Sequence, residues 1–171
     1  MKKIVAIVLL IWGFNLSAQT PEQKLDELKI RLPQIQESLG RYQDMVRVGN
    51  LVFLSGKGPL KTDGKYIVGK IGKDLTIEEG YQAARLTAIN QLAILKQAFG
   101  NLNKIKRIVK VNGYVNTDHS FTEHSKVMNG FSDLLIEVFV EKGKHARTSV
   151  GVFNLPQNMA VEVEMVVEIV E

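Results

Sequence analysis

The sequence predicts a mixed α/β fold of the α+β kind: one sheet in the chain order β-β-α-β-α-β-β, with two helices packed on one face. Three observations carry this prediction. Two stretches, from Thr76 to Gly100 and from Ser120 to Gly143, place apolar residues at helical spacing between capping signals. Five short segments rich in Val, Ile and Phe alternate in the manner of strands and are separated by turn residues. No repeat, low-complexity stretch or linker divides the chain.

The first residues are read as lying outside the fold. Lys2 and Lys3 precede an apolar run from Ile4 to Phe14, and Asn15-Leu16-Ser17-Ala18 then ends in small residues. This is the layout of a secretory signal peptide cut after Ala18. A bilayer span takes roughly 20 apolar residues, more than this run supplies, and no Cys follows it to carry a lipid. The chain is therefore expected to be exported, to the periplasm or the medium, with no membrane attachment once the leader is removed. Removing 18 of 171 residues leaves 153, one domain over residues 19–171. Without Lys2 and Lys3, Lys plus Arg falls from 22 to 20 against 18 Asp plus Glu, a net charge of +2. The charges are scattered, and no basic stripe suggests a nucleic-acid partner.

Pro21 to Leu32, with Leu25, Leu28 and Leu32 at helical spacing, predicts a short N-terminal helical extension that Pro33 ends. Met45–Val48 and Leu51–Ser55 read as two strands joined by Gly49-Asn50, a two-residue hairpin turn. Gly56, Gly58 and Pro59 then break regular structure. The first long helix has a capping box in Thr76 and Glu79, an apolar stripe of Tyr81, Ala84, Ala88, Leu92, Leu95 and Phe99, and Gly100 as its stop. Ile105 to Val115 alternates as a strand. A second helix is expected from a Ser120–Glu123 capping box to Gly143, with Val127, Phe131, Leu134, Leu135 and Val138 inward. Thr148–Phe153 and Ala160–Val170 are the last two strands, with Leu155-Pro156-Gln157-Asn158 turning between them.

With no Cys in the chain, disulfides, thiolate catalysis and Cys-bound zinc are excluded. His119, His124 and His145 match no common metal-ligand spacing, so neither a metal nor a cofactor is expected. Arg147 opens a predicted strand after Gly143-Lys144-His145-Ala146, where a guanidinium presents a planar fork to a carboxylate or phosphate. Taken alone, an Arg at the start of a strand is more often a surface residue in an ion pair. Glu162 and Glu164 stand two apart in a Val-rich strand and so share one face. A carboxylate on a half-buried face is costly unless it is paired or functional; the alternative is a face that meets solvent or an inter-subunit channel.

Several fragments, taken in register, resemble one known family. They are Gly40-Arg41-Tyr42, Leu54-Ser55-Gly56, Val109-Lys110-Val111-Asn112-Gly113-Tyr114-Val115, and His145-Ala146-Arg147-Thr148-Ser149-Val150 through Leu155-Pro156 to Val161-Glu162-Val163-Glu164. Together they are similar to the Rid/YjgF family of reactive-intermediate deaminases, often labelled endoribonuclease L-PSP. The Lys126–Leu135 helix and the His145-Ala146-Arg147 junction look like its longer YjgF-like branch.

The resemblance implies a chorismate-mutase-like fold and a homotrimer with pockets at the subunit interfaces. It also implies hydrolysis of small enamines or imines derived from amino acids to a 2-oxo acid and ammonia. Carried over, Arg147 would grip the substrate carboxylate and Glu162 would orient the attacking water. Tyr42, Ser55, Gly56, Asn129 and Ser149 would line the site, Asn129 with a spacing to Arg147 one residue off that of the short members. Two departures stand out. Lys57 replaces the Gln that follows Ser-Gly in the short members, adding a cation near the pocket mouth, and the extension through Pro33 is absent from them. The alternative functions are a non-catalytic exported binder of small carboxylates and, against the lack of a His pair or basic stripe, a ribonuclease.

Overall fold

A computed structural model describes residues 19–34 and 41–170. The expected leader over residues 1–18, its cut after Ala18, and Gly40 lie outside the described residues. The elements are α1 (Pro21–Glu27), β1 (Met45–Val48), β2 (Leu51–Lys57), α2 (Ile77–Phe99), β3 (Ile105–Asn116), α3 (His124–Phe139), β4 (Ala146–Val152) and β5 (Val161–Ile169). The five strands form one sheet in the order β1-β2-β5-β3-β4. β5 inserts antiparallel between β2 and β3, while β4 runs parallel to β3 at one edge.

Strand alternation decides which face the helices cover. Val161, Val163, Met165, Val167 and Ile169 of β5 are buried, as are Val52 and Leu54 of β2 and Val111 and Val115 of β3. They meet the α2 and α3 stripes of Ala84, Ala88, Leu92, Leu95, Val127, Phe131, Leu134 and Leu135 in one core. The intervening residues face away from the helices. On that open face Val46, Val48, Leu51 and Phe53 are exposed at 54, 63, 37 and 45 %.

The Thr76–Glu79 capping box is formed: the Glu79 amide donates to Thr76 Oγ1 at 3.2 Å, and Glu79 Oε2 accepts from the Thr76 amide at 2.8 Å. The Gly49-Asn50 turn has Gly49 at φ 60°. Three helix boundaries differ from expectation, and the ends of β2 and β4 shift by one or two residues, to Leu51–Lys57 and Ala146–Val152. The N-terminal helix stops at Glu27 rather than Leu32, because Lys29 turns left-handed (φ 56°) and the Ile30 and Lys29 amides close back on the Leu25 and Asp26 carbonyls. Leu28, Ile30 and Leu32 then pack on the core from non-helical chain. The Ser120–Glu123 box is not formed: Asp118 Oδ2 takes the Ser120 amide and hydroxyl (3.4 and 2.9 Å), so α3 starts only at His124. That helix ends at Phe139 where Val140 adopts φ 54°, and a 3₁₀ turn covers Val140–Gly143.

α2 and α3 touch backbone to side at Gly130, where an added Cβ would collide with the Tyr81 carbonyl. A carbonyl in mid-helix cannot rotate aside. Gly130→Ala is therefore expected to lower stability by about 1–3 kcal/mol through overpacking, although Ala for Gly in an unstrained helix gains roughly 0.5–1 kcal/mol. Urea unfolding reads the sign directly: a gain in midpoint would show that the helices are not in contact there.

Candidate functional site

Arg147 does not open its strand; it sits inside β4, opposite Val111 of β3, and its side chain leaves the sheet on the helix side. Nη1 donates to Asn129 Oδ1 (3.0 Å) and Ser132 Oγ (2.8 Å), both on α3, and Nη2 donates to the Ser125 carbonyl at 3.4 Å. A guanidinium has five N–H donors. Among the described residues, Nε–H and one Nη2–H have no partner; Nε and Nη2 are the two nitrogens that meet a carboxylate side-on. Burial disfavours the charge and Asp133 favours it, but the group starts so far above neutrality that it stays protonated. Ser149, two residues on and on the same side, has a buried hydroxyl with no hydrogen-bond partner. A cleft further along this edge, among Lys70, His124, Gly151 and Phe153, contains none of the expected site residues. Its Lys70 ammonium is engaged by the Asn116 side chain (3.1 Å) and the Thr117 and Phe153 carbonyls.

Glu162 belongs to a second cluster. It stands opposite Tyr114, between buried Val161 and Val163, and so faces away from the helices. Its neighbour Glu164 accepts from Asn112 Nδ2 (3.0 Å) and from the Tyr114 hydroxyl (3.2 Å). Burial, with the Glu164 charge second, pushes the Glu162 carboxyl above the usual carboxylate range. The Glu162 carboxylate crosses β2 at Gly56, where a Cβ would collide with it. A side chain at this position would push the Glu162 carboxylate aside.

The β2–β5 register shifts between Leu54 and Lys57, which leaves Ser55 and Gly56 in an irregular step. Two buried side chains of α2 hold that step. Gln91 Nε2 donates to the Ser55 and Val163 carbonyls (3.0 and 2.8 Å), and Asn90 Nδ2 to the Gly58 and Leu60 carbonyls (3.1 Å each). Both look in sequence like polar interruptions of a helix stripe; the signal would have been amides one and two residues before a buried Leu. On the other side, Ser55 Oγ donates to the Gln43 carbonyl at 2.6 Å, and Lys57 pairs with Asp44 at 2.5 Å while lying 5.7 Å over the Tyr42 ring. Lys57 is thus not an unpaired cation at a pocket mouth. It fastens the segment that carries Tyr42, itself 56 % exposed.

The expected residues therefore fall into two groups within one chain. Arg147, Asn129 and Ser149 lie at the β4 edge on the helix side, and Tyr42, Ser55, Gly56 and Glu162 lie around β2 and β5 with Glu162 on the open face. Arg147 and Glu162 are two strand spacings of about 4.8 Å apart and offset by about 10 Å along β3, on opposite sides of the sheet. One copy cannot present both to one small molecule. Among the described residues no group of three His, Asp or Glu is placed to hold a metal ion, and no helix is long and apolar enough to cross a membrane.

Residues 22–169 match the family described as "YjgF/chorismate mutase-like, putative endoribonuclease". Protein TCP17 of Trypanosoma cruzi is 42% identical over 146 residues, covering 85% of this chain and 91% of its own. The 2-iminobutanoate/2-iminopropanoate deaminase of Dermatophagoides farinae is 30% identical over 141 residues, covering 82% and 94%. The crystal structure of Atu1372 from Agrobacterium tumefaciens, of unknown function, superposes with a TM-score of 0.80 at 39% identity, covering 88% of this chain and 92% of that one. With the five-stranded sheet, its helical layer and the family match over nearly the whole described chain, the protein belongs to the Rid/YjgF family.

Proposed function

We propose that the protein hydrolyses small 2-imino acids to 2-oxo acids and ammonia, in pockets formed where Arg147 of one copy meets Glu162 of the next in a homotrimer. The observation that carries this reading is the Arg147 guanidinium, held by three internal hydrogen bonds that leave Nε–H and one Nη2–H without a partner among the described residues. The deaminase name of the Dermatophagoides farinae relative supports the reaction class. The exposed Val46, Val48, Leu51 and Phe53 on the open sheet face support burial against other copies. The leader-like residues 1–18 support action outside the cytoplasm.

The chemistry asks little of the protein beyond position. Water adds to the electrophilic C2 of R–C(=NH)–COO⁻ and gives one proton to nitrogen, forming the carbinolamine; the hydroxyl proton then moves to the amine as the C–N bond breaks, leaving the 2-oxo acid and ammonia. Arg147 fixes the carboxylate and thereby C2. Glu162, its carboxylate made more basic by burial, orients the water and carries the proton from oxygen to nitrogen. Tyr42 and Ser55 close the pocket on the Glu162 side.

Ammonia release from a freshly generated 2-imino acid tests the reaction, using protein recovered after export, whose first residue is expected to be Gln19. Mixing refolded Arg147→Ala and Glu162→Gln chains tests the shared site: each is expected to be inactive alone, and the mixture to regain up to about one quarter of wild-type activity, as random assembly of a closed ring requires. No recovery in mixed trimers would overturn the shared site. Arg147-dependent binding of 2-oxo acids without any turnover would assign the non-catalytic carboxylate-binding role instead.

A further inference from the structure

Arg147 is held by more than its three α3 neighbours. Behind it stands a chain of hydrogen bonds whose direction is set by donor chemistry alone. A guanidinium only donates, so Ser132 Oγ accepts from Nη1 at 2.8 Å. The Ser132 hydroxyl proton is then available to His145 Nε2, 3.1 Å away. If Nε2 accepts, the ring proton sits on Nδ1, where the Gly143 carbonyl takes it at 2.6 Å. A carbonyl only accepts, so both ends of the chain agree on one tautomer.

We infer that Ser132 and His145 are positioning residues for Arg147: the neutral, Nδ1-protonated His145 orients the Ser132 hydroxyl, and Ser132 in turn aims the guanidinium so that its Nε–Nη2 edge faces the carboxylate pocket. Three segments converge to make this possible. Ser132 is buried on the inner side of α3, His145 follows the 3₁₀ turn that ends at Gly143, and Arg147 is two residues further on in β4. Gly143 is itself needed for the approach, since a Cβ there would collide with the Leu135 carbonyl. The charged groups around the imidazole are consistent with the neutral form. Burial and the Arg147 charge disfavour protonation, with the Gly143 carbonyl in partial opposition, and Asp133 acts on Arg147 from α3.

The chain matters because, without Ser132, the guanidinium keeps one Nη1 bond to Asn129 and the longer 3.4 Å Nη2 bond to the Ser125 carbonyl. The Ser132 bond, at 2.8 Å from the neighbouring helical turn, is the shortest of the three and narrows the swing of the plane. Positioning of this kind acts on ground state and transition state alike, so its loss falls on substrate affinity.

This inference rests on the carboxylate clamp proposed above, and the experiment separates the two. Binding of 2-oxobutanoate is measured by calorimetry, with steady-state kinetics beside it, for wild type, Arg147→Ala, Ser132→Ala, His145→Leu and His145→Gln. Gln at 145 can place an amide oxygen where Nε2 accepts; Leu cannot. Ser132→Ala and His145→Leu are expected to weaken binding and raise KM by about tenfold, the worth of one hydrogen bond to a charged group, with kcat within about twofold of wild type. His145→Gln is expected to restore most of the affinity. Arg147→Ala that binds as well as wild type would remove the clamp itself. A strong Arg147→Ala effect with unchanged binding in Ser132→Ala and His145→Leu would overturn the positioning role, as would an equal loss in His145→Gln and His145→Leu. Should His145→Leu fail to fold, Ser132→Ala decides, because it deletes one hydroxyl and leaves the imidazole in place.

Discussion

Arg147→Ala is expected to lower kcat/KM for a 2-imino acid by about a hundred- to a thousandfold. Two charge-assisted hydrogen bonds, each worth about 1.5–3 kcal/mol and partly offset by water at a half-open site, amount to roughly 3–4 kcal/mol. The substitution also leaves Asn129 Oδ1 and Ser132 Oγ facing a void where they now accept from Nη1. Arg147→Lys keeps the charge but not the fork, and a single ammonium cannot bond Asn129, Ser132 and a carboxylate edge at once. It is expected to recover no more than about tenfold of the loss. Steady-state kinetics check both variants. Wild-type rates in Arg147→Ala would remove the residue from the site altogether.

Glu162→Gln carries the second large effect. It is expected to cost about a hundredfold in kcat, the usual weight of a positioned acid–base group, while making the folded protein more stable at neutral pH. The two signs have one cause. Burial, then the Glu164 charge, disfavours the Glu162 carboxylate in the folded state. Its folded pKa therefore lies above its unfolded one, so its protonation supports folding below the unfolded value, and that support is lost as pH rises through the raised folded value. Above that value the wild type bears a buried charge that Gln does not. The same shift places the acid limb of the wild-type rate profile above the ordinary glutamate range: activity falls as pH drops through the raised pKa, and the limb vanishes in Glu162→Gln. Thermal unfolding at pH 5 and pH 8 reads the stability half, with the gain expected at pH 8 and small at pH 5. A gain at pH 5 alone, or a limb that persists in the variant, would show that Glu162 is not the titrating base.

Much of the fold is legible in local pattern. The strict alternation of Val161 to Ile169 can bury only one face, and it does so, because a strand places successive side chains on opposite sides. Thr76 and Glu79 mark the start of α2 because their side chains satisfy amides within three residues. Where local signals compete, they mislead. Ser120 and Glu123 have the spacing of a capping box, but Asp118 is nearer to Ser120 and takes its amide first. Leu25, Leu28 and Leu32 have helical spacing, yet a left-handed Lys29 ends the helix and the later residues reach the core by another route.

The site shows the same division more sharply. Arg147 and Glu162 are recognisable as residue types in a family pattern, and Tyr42, Ser55 and Asn129 with them. That Lys57 is tied to Asp44, and that Gln91 braces the irregular step at Ser55, depends on contacts 13 and 36 residues apart in the chain. The Ser132–His145 chain behind Arg147 is of this kind as well, since nothing in a 13-residue separation announces a hydrogen bond.

The amino-acid sequence by itself determined the α+β class and the number and chain order of the strands, which follow from periodicity and short-range capping, and the resemblance to the family, which follows from motifs held in register. Only the tertiary structure decided that Arg147 points to the helices and Glu162 to the open face, on opposite sides of a two-layer domain. The physical reason is that a residue's face depends on strand register and sheet order, which are fixed by pairing between distant segments.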